Sequence, residues 1–124
     1  MSKIIHAVKN MISKSDKITC VQKVKKEVYF MFNDKYMWSI IRYSDTNNSD
    51  TLEYYLSYYT GAEKIEELLS KLEADEYNNV NTITYTTSDL KTSEAYETFQ
   101  QLHQIVEEKS LGVDKVLDEI IAIE

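Results

Sequence analysis

The first stretch of the chain repeats apolar residues at helical spacing. Ile4, Ile5, Val8, Met11 and Ile12 share one stripe, and Ser2 stands where an N-cap is expected. The helix is expected to stop near Ser15–Asp16, where short polar side chains compete for the backbone. From Lys17 to Tyr59 the period changes to two. Ile18, Cys20 and Gln22 alternate with Thr19, Val21 and Lys23; Val28, Phe30 and Phe32 alternate with Tyr29 and Met31. Asn33-Asp34-Lys35 is a turn signal, after which Trp38 and Ile40 alternate with Met37, Ser39 and Ile41. The polar run Ser44–Asp50 predicts a longer loop, and Leu52, Tyr54, Leu56 and Tyr58 form the next apolar row. Connections this short suit an antiparallel meander and exclude parallel crossovers.

Helical spacing then returns. Thr60-Gly61-Ala62-Glu63 matches a capping box, followed by Ala62, Ile65, Leu68, Leu69 and Leu72 on one face. Asn79–Thr87 reads as a polar strand built on Ile83 and Tyr85. A helix starting at Thr92 or Ser93 places Ala95, Phe99, Leu102 and Val106 on one side, and Gly112 suits a positive-φ ending. A last short helix carries Val113, Val116, Leu117, Ile120 and Ile121. The expected fold is therefore one α+β domain over residues 1–124. It has an antiparallel β-meander of three to five strands, an N-terminal helix and two to three C-terminal helices.

Charge divides the chain without dividing the domain. Residues 1–44 carry nine basic residues against Asp16, Glu27 and Asp34, whereas residues 45–124 carry five lysines against 18 acids. No Pro-rich or Gly-rich linker accompanies the change. The formal charge of −7 argues against binding nucleic acid or an anionic membrane nonspecifically. The lysines of Gln22–Lys26 read as protection of a strand edge. No run of about 20 apolar residues exists to span a bilayer. One cysteine and no cleavable leader point to a cytoplasmic protein.

Most catalytic chemistry lacks its residues. With only Gly61 and Gly112, neither a phosphate-cradling loop nor a nucleophile elbow can be built. Cys20 falls in the row of Ile18 and reads as a half-buried structural thiol. His103 and Glu107 share one side of a helix at i and i+4, but a metal site needs further ligands, so a solvated pair is expected. No metal or cofactor is expected, and the clustered carboxylates read as solvated helix faces.

The tyrosines are the most informative feature. Ten occur in the chain, seven of them between Tyr29 and Tyr59. Alternation puts Phe30, Phe32, Trp38, Ile40, Leu52 and Leu56 on one sheet face with two tyrosines. It puts Tyr29, Met31, Met37, Ile41, Tyr43, Tyr55 and Tyr59 on the other. The second face is covered either by the chain's own helices or by a partner or second copy, since Tyr, Trp and Met suit interface cores. The element order is similar in outline to small cytoplasmic binding proteins, secretion chaperones among them; no motif carries that likeness to individual residues.

The expected function is a non-catalytic protein-binding module of inhibitor, immunity, anti-defence or chaperone type. Candidate partner-binding residues are Tyr43, Tyr55 and Tyr59 on the sheet, with Glu107, Glu108, Asp118 and Glu119 steering a basic protein partner. A homodimer would use the same surface. The alternative is a small-ligand or nucleotide sensor with stacked rings and Arg42 or nearby lysines holding an anion; that reading requires a concave pocket.

Overall fold

A computed structural model of the chain describes residues 2–45, 48–60 and 81–123. Helix α1 (Lys3–Ser13) leads through a 3₁₀ turn at Ser15–Lys17 into strands β1 (Ile18–Val24), β2 (Glu27–Phe32), β3 (Tyr36–Asp45) and β4 (Asn48–Thr60). Strand β5 (Asn81–Thr86) runs into a one-turn helix α2 (Thr87–Leu90), then α3 (Ser93–Leu111) and α4 (Val113–Ile121). The strands form one open antiparallel sheet in the order β1-β2-β3-β4-β5. This is the α+β meander that the hydrophobic pattern predicts. The helix expected after Thr60 lies outside the described residues.

The tight connections follow from local chemistry. Asn33 and Asp34 both take positive φ, the left-handed region their short polar side chains enter most readily, and Lys35 N–H donates to the Phe32 carbonyl at 3.3 Å. Lys25 and Lys26 close the β1–β2 hairpin as a two-residue loop, with Lys25 also at positive φ. The loop expected at Ser44–Asp50 is shorter than predicted, because β3 and β4 stay paired out to Asp45↔Asn48.

One face of the sheet carries the main core. Val28, Phe30, Ile40, Tyr54 and Leu56 meet Ile4, Ile5, Val8 and Met11 of α1 and Ala95, Phe99, Leu102 and Val106 of α3. Both helices bury the stripes their sequences mark. Thr92 caps α3 by accepting from Ala95 N–H at 3.0 Å. Gly112 ends α3 at φ +67, a conformation that would strain any residue with a Cβ. Ser2 occupies the N-cap position of α1 but makes no side-chain capping bond, so that expectation holds for position and not for chemistry.

The sequence-based placement of Cys20 is overturned. The β1–β2 register shifts between Thr19 and Gln22, and Cys20 sits in this irregularity at φ +53. The bulge breaks the alternation: Ile18 joins the core, Val21 packs against it, and Cys20 is exposed. In α4 the apolar stripe is not buried: Val116, Leu117, Ile120 and Ile121 are 49–79% exposed.

Candidate binding surface

Helix α4 follows α3 after a single residue, Gly112. Its apolar residues recur at three- and four-residue spacing, which is the pattern of a helix that packs on something. Leu111 before it and Ile123 after it are also exposed, which extends the apolar surface at both ends. Asp118 and Glu119 are exposed on the same helix, and Lys115 is the one basic residue there. From Ser93 to the end of the sequence, eight acids stand against Lys109 and Lys115. The helix is therefore aliphatic along its stripe and acidic at Asp118 and Glu119, in a segment of the chain where acids outnumber bases.

The other residues singled out from the sequence fall into three places. Tyr43 and Tyr55 stack with ring centroids 5.7 Å apart, Tyr43 being 56% exposed. Tyr55 also donates to Glu53 at 3.2 Å, and that hydrogen bond is the main reason its phenol is held above the usual range. Tyr59 is different: it is 6% exposed in the single chain. Tyr29, Met31 and Met37 are buried on the same face. As a surface for a partner, Tyr59 is a correction; its ring already belongs to the interior.

The second face is a polar interior, and this was not visible in the alternation. Glu27 accepts from Tyr29 Oη at 3.0 Å through one carboxylate oxygen and from Ser39 Oγ at 2.7 Å through the other. Tyr59 Oη lies 2.8 Å from Ser39 Oγ and 3.4 Å from the same Glu27 oxygen. Since Ser39 spends its proton on Glu27, Tyr59 donates to Ser39. Burial pushes Tyr59 up to about 12 and raises Tyr29 further, with the Tyr59 and Glu27 charges adding to the effect on Tyr29. Held neutral in this way, Tyr29 donates to the carboxylate and Tyr59 joins it through Ser39, which ties β2, β3 and β4 together on one face. The available signal was Ser39, a small polar residue inside a row of large apolar ones.

Glu107 and Glu108 belong to a different neighbourhood. His103 is buried, not solvated as expected, and its Nε2 meets Glu107 Oε2 at 3.1 Å. Lys23 reaches from β1 to the other Glu107 oxygen. Burial lowers the His103 pKa, opposed by Glu107, while the Lys23 hydrogen bond holds Glu107 below its ordinary value. The His103 ring also packs 5.4 Å from Tyr54. Beside this cluster lies an open cavity of about 270 Å³ between α3 and the sheet, lined by Arg42, Tyr54, Gln100, His103, Gln104, Glu107 and Glu108. Arg42 is exposed, and among the described residues it forms neither a hydrogen bond nor an ion pair.

Of the seven candidate residues, the structure thus joins Tyr43 with Tyr55, Glu107 with Glu108, and Asp118 with Glu119, and it removes Tyr59 to the interior. Among the described residues, the apolar stripe of α4 is a further exposed feature that the candidate set did not include. Among the described residues no helix is long and apolar enough to cross a membrane. The chain matches no family model, no curated protein and no solved structure.

Proposed function

We propose that the chain is a non-catalytic protein-binding module that covers a partner through α4. The observation that carries this reading is the row of six exposed aliphatic side chains: Leu111, Val116, Leu117, Ile120, Ile121 and Ile123. Exposed apolar residues scattered singly are normal on a monomer, whereas this many gathered on one short segment mark an interaction site. The occupant is a protein with its own apolar strip set among lysines or arginines. Asp118 and Glu119 flank the stripe, and the acid excess of the last two helices attracts such a partner and repels a second acidic copy. The chain would act by occlusion, as inhibitor, immunity and chaperone proteins do.

The test is recovery of a stable partner from the native host by the wild-type chain and by an Ile120→Asp/Ile121→Asp variant. Recovery of one basic protein by the wild type alone, at low salt and less so at high salt, with the variant still folded by circular dichroism, supports the reading. A wild-type chain that sediments as a dimer would assign the face to a second copy. A partner retained by the variant would move the interface elsewhere.

A further inference from the structure

We infer that the cavity between α3 and β3–β4 binds a small zwitterion of amino-acid size, with its carboxylate on Arg42 and its ammonium towards Glu108. This inference is independent of the α4 interface. It starts from where Arg42 stands. Along β3, Trp38 and Ile40 alternate towards the helices, and Arg42 continues that row beyond the edge of the core. A guanidinium at this point faces α3, and no carboxylate among the described residues pairs with it. Its planar fork matches a carboxylate through two parallel hydrogen bonds.

The neighbouring charges decide what else the ligand must carry. Glu107 already has two partners, Lys23 on one oxygen and His103 on the other. It therefore adds little uncompensated charge to the cavity. Among the described residues Glu108 has only Gln104, whose Nε2 reaches it at a long 3.4 Å. Among the described residues the walls thus offer a cation that forms no hydrogen bond or ion pair, though its charge is felt at Glu107, and one weakly satisfied anion, with the amide of Gln100 beside them. A simple anion would meet the Glu108 charge without a counterpart, and a simple cation would meet Arg42. A molecule with both charges satisfies each wall. The cavity volume of about 270 Å³ is below the usual range for drug-sized ligands and suits a small metabolite.

The experiment titrates the purified chain with each common L-amino acid, and separately with acetate and inorganic phosphate, by ligand-observed NMR. At least one amino acid is expected to bind saturably. Arg42→Ala should weaken it by at least about tenfold, the effect of losing a hydrogen bond to a charged group. Arg42→Lys should also weaken it, because the charge remains and the fork does not. Glu108→Gln should weaken the amino acid and leave acetate unaffected or tighter. Arg42 and Glu108 are exposed, so these variants keep the fold, which circular dichroism checks. Three results would overturn the inference: no amino acid binding at millimolar concentration, binding that survives Arg42→Ala, or phosphate binding in preference to every amino acid.

Discussion

Helices α1 and α4 carry the same kind of sequence signal and meet opposite fates. Each is short, strongly amphipathic and attached at one end of the chain. In α1 the stripe of Ile4, Ile5, Val8 and Met11 is 0–8% exposed against α3 and the sheet. In α4 Val113 is half-buried, but Val116, Leu117, Ile120 and Ile121 are 49–79% exposed. Periodicity states that a helix has a face to cover; it does not state whether the cover comes from the same chain. Burying an aliphatic side chain contributes about 1.5–3 kcal/mol, so α1 stabilises the fold directly. On the proposed reading, the equivalent contribution from α4 is left for association.

The largest expected effect follows from that contrast. Val8→Asp puts an unpaired charge where the side chain is fully buried, and should cost at least about 3 kcal/mol or prevent folding. Ile121→Asp places the same charge on the open stripe and should change stability by no more than about 0.5 kcal/mol. Urea unfolding of the two variants measures both. Similar losses in the two would mean that α4 is part of the core.

A second contrast lies between the faces of the sheet. One is an apolar core, and the other is built on Glu27, Tyr29, Ser39 and Tyr59. Tyr59 keeps its proton up to about 12 in the fold, whereas the unfolded chain releases it near the ordinary value of 10.0. Between these values the folded state binds more protons, so stability falls as pH rises through the window. The loss from this group is on the order of 2 kcal/mol at the top of the window. Tyr59→Phe should flatten the alkaline side of the stability profile, leaving the part due to Tyr29. An unchanged profile would show that Tyr59 is not held neutral by burial.

The smallest effect separates the helix starts. Thr92→Ala removes an acceptor for Ala95 N–H and should cost about 0.5–2 kcal/mol. Ser2→Ala removes no capping bond and should leave the unfolding midpoint where it is.

These contrasts also show what the sequence could convey. The meander, the turn at Asn33-Asp34, the Thr92 cap and the stop at Gly112 were legible because each depends on local chemistry. The exposure of Cys20 was not legible, since one bulge residue reverses every later side chain on the strand. The burial of His103 was only half legible: it lies four residues after Phe99 and three before Val106, on the margin of the stripe. Its partner Glu107 is also held by Lys23, from a strand 84 positions before Glu107 in the chain, which no local pattern records. The tyrosine face was correctly grouped, but grouping alone could not show that Tyr29 and Tyr59 lie inside while Tyr43 lies outside.

The central claim is that α4 presents its stripe to a partner. Amide hydrogen exchange on the chain alone and in the recovered complex tests it directly. In the free chain, amides of α1 and α3 should exchange slowly and those of Val113–Ile121 quickly. In the complex, protection should rise most sharply across α4 and its approaches at Leu111 and Ile123. Protection that appears elsewhere while α4 stays fast-exchanging, or an α4 already as slow as α1 in the free chain, would contradict the account.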